Sequence, residues 1–213
     1  MVSLVDYVGI FIETPFILER GDPLRAFLLD VKYVKSLALS SWCVQILPRK
    51  IDILRSLQKL QIMKSLCTSL FNLKHLRLYL VLTKQELPGI SCLLSSCPNM
   101  ETLALEVDFV NQQDWVFETP VSLSFDEEQF WKSESLHFDC LQNSLKTVDI
   151  DGFVGGNFDI PFVEFLLEKP MVLECMTIDC KSNDGSMSSK EYFHFIKTTS
   201  NKVLHMRRAY SQA

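Results

Sequence analysis

The sequence predicts an α/β solenoid arc, with parallel strands on its concave side and helices and loops on its convex side. The prediction rests on a unit of helix, tight corner and strand, which runs from Leu87 to Glu106 as LPGISCLLSSCPNMETLALE. The same unit recurs from Leu24 to Ser41 and from Phe162 to Asp179. Three copies of one helix–strand unit indicate an internal repeat, which is typical of solenoid proteins.

The central copy shows why these residues form a helix and then a strand. Apolar residues between Leu87 and Leu94 follow the three-and-four spacing of one helix face. Pro98 ends the helix, because proline has no N–H to donate and disfavours the helical conformation in the residue before it. The segment from Leu103 to Leu105 then alternates in the manner of a strand with one buried face.

The strand positions of the repeat are spaced as in leucine-rich repeats. A helix residue and a strand residue lie ten residues apart in all three copies: Phe27 and Leu37, Leu93 and Leu103, Leu166 and Met176. The middle apolar residues of all the predicted strands are Leu37, Leu60, Leu76, Leu103, Leu123, Val148 and Met176. Five of the six steps between them fall within the roughly 20–29 residues of a leucine-rich repeat. The asparagine that usually ends each strand is missing, so we predict an irregular leucine-rich-repeat solenoid arc with parallel concave strands and no asparagine ladder.

The two ends of the predicted arc differ. The segment Val2–Ile12 carries Val, Ile, Tyr and Phe on both faces, which predicts a strand that is covered on both sides. Such a strand at the end of the arc also offers an edge for pairing with a partner. Asp22 and Pro23 are suited to begin the first helix. The segment Lys190–Thr198 is predicted to form the last helix and to cover the C-terminal end.

Composition and charge narrow the possible functions. The 213 residues are 47% hydrophobic and 22% charged, as in a folded domain. The net charge of −5 argues against nucleic acid as a partner. The most apolar window, Leu66–Leu82, contains Lys74 and Arg77 and is therefore no membrane span. Asp6 interrupts the first apolar run, so we expect no signal peptide. Seven cysteines without a CxxC pair predict reduced core thiols in a cytoplasmic or nuclear protein.

No catalytic or metal-binding group emerges from the sequence. The four histidines are scattered, and none has metal-ligand spacing to another histidine or to a cysteine pair. Glycines 152, 155 and 156 match no phosphate-binding loop and predict a turn after a strand. Asp149 and Asp151 share a strand face, which is more typical of a solvated or partner-binding surface than of acid–base catalysis. We therefore expect no enzyme and no cofactor.

What remains is the surface between the buried leucines. In a solenoid these side chains face the concave side, where such proteins bind partners. Their charge changes along the row, from basic and aromatic in the earlier repeats to acidic in the later ones, which predicts a polarised face that orients a protein partner. Random surface charge is the alternative. The candidate residues are Lys59, Gln61, His75, Arg77, Tyr79, Thr102, Glu106, Thr147, Asp149, Asp151, Thr177 and Asp179.

Four segments resemble a plant family, the F-box/leucine-rich-repeat proteins with a C-terminal FBD domain. They are VKYVKSLALSSWCVQIL (31–47), the pair of repeats at 70–106, FDEEQFWKSESLHFDCLQNSLKTVDIDGF (125–153) and FVEFLLEKPMVLECMTI (162–178), with RAYS (208–211) near the end. The resemblance implies irregular leucine-rich repeats over residues 1–124. It also implies an FBD-like domain over residues 125–213 that continues the same solenoid.

The family's F-box docks the adaptor of a ubiquitin ligase, and its pattern is not found in this sequence. Leu47-Pro48 precedes a polar and basic stretch, and Trp42 lies on the wrong side of it. The resemblance therefore implies the substrate-recognition part of a ligase receptor without the F-box. It would bind an unidentified protein, and the ligase adaptor only through a docking surface outside an F-box. A regulatory protein, decoy or truncated paralogue that binds partners without recruiting the ligase is the alternative.

Overall fold

The computed structural model describes residues 6–11, 24, 28, 33–47, 70–107, 130–132, 137–153, 159–180 and 204–208. The predicted strands at Leu60 and Leu123 and the predicted helix Lys190–Thr198 lie outside these residues. So do candidate residues Lys59 and Gln61.

One open sheet of parallel strands forms the centre of the structure. The strands are β1 (Tyr7–Ile10), β2 (Ser36–Ser40), β3 (His75–Leu80), β4 (Thr102–Val107), β5 (Thr147–Phe153), β6 (Cys175–Cys180) and β7 (Leu204–Arg208). They pair in chain order, each parallel to the next. Because each strand contacts only its neighbours in the chain, the sheet has the quasi-linear order of a repeat protein. The predicted α/β class with parallel strands is confirmed.

The buried strand positions form one continuous row across five strands. Leu37, Leu76, Leu103, Val148 and Met176 are register partners from β2 to β6. Each is at most 1% exposed. The register is fixed because a shift by one residue would move every buried side chain of a strand to the opposite face. These are five of the seven strand positions that the sequence predicted.

The spacing of the repeats differs from the prediction at two places. Leu37 pairs with Leu76, 39 residues later, and Leu103 pairs with Val148, 45 residues later. Strand β2 pairs with β3 along its full length, and β4 pairs in the same direct way with β5. No further strand therefore lies between them in the sheet, so the spacing of the repeats at these two places is longer than predicted. A short apolar alternation permits a strand but does not decide whether it enters the ladder.

Helices cover the apolar face of the sheet. They are α1 (Ser41–Ile46), α2 (Leu87–Ser96), α3 (Asp139–Asn143) and α4 (Asp159–Glu168). The helices predicted at the start of the Leu87–Glu106 and Phe162–Asp179 units correspond to α2 and α4, whereas α1 and α3 were not predicted. Leu24 and Leu28, from the predicted first helix, are both helical and buried. Helix and strand residues share one hydrophobic core.

An aromatic cluster fills the core next to α4. Trp131 stacks on Phe162 with the ring centroids 4.7 Å apart and lies 4.8 Å from Phe165. Phe138 meets Phe165 edge to face at 5.9 Å. Trp131 is 2% exposed. Such ring pairs add stability beyond the area that they bury, so they fix α4 against the later repeats.

The two edge strands correct the predictions for the ends of the chain. Val8 and Ile10 of β1 pack against the core, but Tyr7 and Phe11 are 57% and 54% exposed. One face of this strand is therefore open, and the prediction that both sides are covered was wrong. At the other end β7 continues the sheet after β6. This strand was not predicted, because Leu204–Arg208 has no clear apolar alternation.

Adjacent repeats are also joined where the strands start. The carbonyl oxygen of Lys74 accepts hydrogen bonds from the backbone N–H groups of Glu101 and Thr102, both at 2.9 Å. The carbonyl oxygens of Lys35, Glu101 and Lys146 each accept two such bonds from the next repeat. This arrangement satisfies the backbone just before each strand and repeats the register of the sheet.

Two backbone conformations mark the ends of β3 and β5. Leu82 has a φ of 53°, which is uncommon for a bulky residue. The two residues that flank Leu82 are held by the buried side chain of Glu86. Its carboxyl oxygens accept hydrogen bonds from the N–H groups of Val81, at 3.1 Å, and Thr83, at 2.7 Å. Gly152 has a φ of 83° and lies inside β5 at a shift of register with β6. The interpretation of Gly152 as a loop residue was therefore wrong.

Candidate interaction surface

The face of the sheet that points away from the core carries the predicted candidate residues. Along β3, β4 and β5, buried residues alternate with exposed or half-buried ones. We call these exposed and half-buried residues, together with their register partners on β6, the polar face. Its register rows are His75–Thr102–Thr147–Cys175, Arg77–Ala104–Asp149–Thr177 and Tyr79–Glu106–Asp151–Asp179.

The structure brings ten of the twelve candidate residues onto this one face. His75, Arg77, Asp149 and Asp151 are exposed. The other six are half-buried, namely Tyr79, Thr102, Glu106, Thr147, Thr177 and Asp179. The exposure of His75 agrees with its predicted place on the surface. All ten come from four adjacent strands, so a single partner can touch them together.

A groove of about 380 Å³ lies in the middle of the polar face. Its lining consists of Arg77, Ala104, Leu105, Glu106, Asp149, Ile150, Asp151, Thr177 and Asp179. Ala104 stands in register between Arg77 and Asp149, and its methyl side chain leaves space that the longer neighbours enclose. The sequence pattern also places Ala104 on the concave face, between two buried leucines, although it was not among the twelve candidate residues. Leu105 and Ile150 were not expected at the groove, because the neighbours of each strand across the sheet were not known.

The basic side of the groove is held in place by its neighbours. Arg77 Nη1 lies 3.3 Å from Glu106 Oε1 on the next strand. A hydrogen bond with Tyr79 raises the pKa of Arg77, and the negative charge of Glu106 adds to this effect. Tyr79 in turn meets Phe11 edge to face, with the ring centroids 5.2 Å apart. The register partner of Tyr79 on β2 is the small residue Ser40, which leaves room for the two rings to contact each other.

The acidic side of the groove is a row of three carboxylates on adjacent strands. Glu106 is the register partner of Asp151, and Asp151 is the register partner of Asp179. Beyond them, Arg207 of β7 is in register with Asp179. The described part of the face thus runs from basic and aromatic residues on β3 to acidic residues on β5 and β6, as the sequence predicted.

The described residues show neither a metal cluster nor a membrane helix. Among them, no three His, Cys, Asp or Glu side chains are grouped to hold a metal ion. None of the described helices is long and apolar enough to cross a membrane. Cys43, Cys92, Cys97 and Cys140 are buried thiols outside any disulfide. Burial raises the pKa of Cys140 to about 12, so this thiol stays protonated and unreactive at neutral pH.

Comparison with known proteins agrees with this fold, and the chain belongs to a family of leucine-rich-repeat domains. The family is described as the At1g61320/AtMIF1 LRR domain and is matched over residues 64–213. No solved structure matches the chain.

Curated relatives come from Arabidopsis thaliana. The chain is 26% identical over 140 residues to the putative F-box/FBD/LRR-repeat protein At4g03220, an alignment covering 65% of the chain and 28% of the relative. It is 27% identical over 153 residues to the putative F-box protein At3g29830, covering 70% and 28%. It is 30% identical over 89 residues to the F-box protein At3g62230, covering 42% and 18%. The alignments thus span less than a third of each relative. The resemblance to plant F-box/leucine-rich-repeat proteins is confirmed.

Proposed function

We propose that the chain is a protein-interaction module that binds its partner on the polar face. The groove beside Ala104 carries this proposal, because it is the place where candidate residues from four strands enclose a space. The leucine-rich-repeat family and the F-box relatives support an interaction role. We also propose that the chain has no catalytic activity of its own and acts in the cytoplasm, the nucleus or both.

The finer proposal concerns the ubiquitin ligase. We propose that the chain corresponds to the substrate-recognition part of an F-box ligase receptor, with residues 125–213 as an FBD-like continuation of the repeats. One relative is named as an F-box/FBD/LRR-repeat protein. Strands β5, β6 and β7 extend the same sheet, which supports a continuation rather than a separate unit. Nucleic acid and membranes are not proposed as partners.

A second candidate function is regulation without ligase recruitment. It is the alternative that the sequence analysis left open beside the receptor. Such a protein would bind the targets of ligase receptors and compete with them. The two candidates differ in one property, because a receptor must bring the ligase adaptor and a competitor must not.

Affinity capture from plant extract tests the proposed function. The wild-type chain is compared with Ala104→Trp, which fills the groove, and with Asn143→Trp, which places the same side chain on the exposed end of α3. We expect Ala104→Trp to lose partners that Asn143→Trp retains. Retention of every partner by Ala104→Trp would overturn the polar face as the binding surface. Recovery of the ligase adaptor favours the receptor, and its absence beside retained partners favours the competitor.

A further inference from the structure

We propose that the partner segment is cationic, and that a Lys or Arg side chain of an extended segment occupies the groove between Asp149 and Asp151. The inference rests on the proposed function and adds the chemical class of the partner. Both aspartates are exposed, and both line the groove.

Asp149 has no charged residue beside it in register. Its register partners are Ala104 on β4 and Thr177 on β6, and both are uncharged. An exposed carboxylate above a small residue offers a hydrogen-bond acceptor that an incoming ammonium or guanidinium group can approach directly.

Asp151 lies between two further acidic positions. Its register partners are Glu106 and Asp179, and like charges directly opposite each other destabilise a sheet. Among the described residues, the basic positions that flank this row are Arg77 on β3 and Arg207 on β7. Arg77 is paired with Glu106 at 3.3 Å, and Arg207 is in register with Asp179. Asp151 is two strands away from β3 and from β7, or about 10 Å in each direction at the usual strand spacing.

The shape of the groove suits a long cationic side chain. One residue separates Asp149 from Asp151, so the two lie on the same strand face with their α-carbons about 7 Å apart. Ala104 contributes its methyl group to the lining, where the methylene stem of a lysine or arginine can pack while its charged end meets the carboxylates. An acidic segment would meet carboxylates of its own sign on β4, β5 and β6. The charge of the row therefore favours a positive occupant.

A direct binding measurement tests the charge of the partner. The probe is a fluorescein-labelled twelve-residue peptide of alternating Lys and Ser, measured by fluorescence anisotropy against the same peptide with Glu in place of Lys. We expect wild type to bind the Lys probe and not the Glu probe, with an affinity that falls as salt is added. Replacing both aspartates, Asp149→Asn with Asp151→Asn, should raise the Kd by about tenfold or more, which corresponds to about 1.4 kcal/mol.

General attraction to an acidic protein needs a matched control. Glu168→Gln with Glu174→Gln removes the same charge from two exposed positions outside the groove and should leave the Kd within twofold of wild type. The proposal is overturned if both double variants bind the Lys probe alike, if wild type also binds the Glu probe, or if wild type shows no binding of the Lys probe.

The extract experiment separates this inference from the proposed function. If Asp149→Asn with Asp151→Asn retains the partners that Ala104→Trp loses, the polar face remains the binding surface and the cationic partner is wrong. If Ala104→Trp also retains them, both proposals fail. Loss of the same partners in both variants supports both.

Discussion

Lys74 and Glu101 are joined twice. Lys74 Nζ lies 2.7 Å from Glu101 Oε1, and the N–H of Glu101 donates to the carbonyl oxygen of Lys74 at 2.9 Å. The two residues are 27 positions apart and precede adjacent strands. Their side chains are 39% and 40% exposed, so solvent and salt weaken the ion pair. The backbone bond fixes the register, and the ion pair adds a dependence on pH.

Lys74→Met should lower the free energy of unfolding at neutral pH. It should also make the free energy of unfolding fall less than that of the wild type when the pH is lowered. The hydrogen bond with Lys74 lowers the pKa of Glu101 below its ordinary value of 4.5. The contribution is therefore fully present above this value and is lost as the pH falls through the folded-state pKa. Urea unfolding from pH 7 to pH 3 should show the wild type and the variant converging in acid. Lys132→Met, at another exposed lysine, is the control and should not converge in this way.

Gly89→Ala should destabilise the packing of α1 against α2. A β-carbon on Gly89 would overlap the carbonyl oxygen of Val44 and lie 2.8 Å from the Val44 Cγ1. A backbone oxygen cannot rotate away, so the helices must separate, at about 1–3 kcal/mol. Thermal or urea unfolding measures the loss.

Gly9→Ala is the matched control for that substitution. A β-carbon there would lie 2.9 Å from the Phe11 ring and 3.1 Å from the Tyr7 hydroxyl, and both of these side chains are exposed. The exposed Phe11 ring can move, so the loss should be clearly smaller. Equal losses would contradict the close approach of α1 and α2.

Glu86→Gln should destabilise the turn after β3 by about 1–3 kcal/mol. The reason is that the buried amide nitrogen of Gln would face a backbone N–H group whose hydrogen bond a Glu86 oxygen accepts in the wild type. Burial raises the pKa of Glu86, although hydrogen bonds with Ser41, Thr83 and Val81 oppose the rise. Its folded-state pKa lies above the ordinary value of 4.5. This group therefore favours folding most below that value, and the contribution is lost as the pH rises through the folded-state pKa.

Urea unfolding at a series of pH values measures both effects of Glu86→Gln. The difference between wild type and variant should grow as the pH falls towards 4.5. Glu168→Gln, at an exposed glutamate in the last turn of α4, should not show this change. A pH-independent difference for Glu86→Gln would show that the carboxyl group does not titrate above its ordinary range.

Asp151→Asn should stabilise the unbound chain by about 0.2–1 kcal/mol, because it removes like-charge repulsion with Glu106 and Asp179. Asp149→Asn should change the stability less, since its register partners are Ala104 and Thr177. Thermal unfolding of the two variants gives the comparison. A lower stability for Asp151→Asn would mean that the acidic row is compensated within the folded chain.

The buried rows of the fold could be predicted from the sequence, whereas the groove could not. Leu103 and Met176 share a register because each must face the core, and alternation alone shows this. The neighbours of Ala104 depend on which strands pair. A strand around Leu123 would have separated it from Asp149, and only the direct pairing of β4 with β5 brings them together. Helix α1 gave no amphipathic signal, because all six of its residues are buried.

The register partners Leu103 and Val148 on β4 and β5 are separated by 45 residues of chain. Compared with the 27 residues between Leu76 and Leu103, closing this longer loop costs about 0.5 kcal/mol more in chain entropy. The junction of β4 and β5 is therefore the most costly of the described pairings to form. Ala104 lies on β4 and Asp149 on β5. An occupant of the groove would therefore contact both strands of the pair that costs the most chain entropy to form.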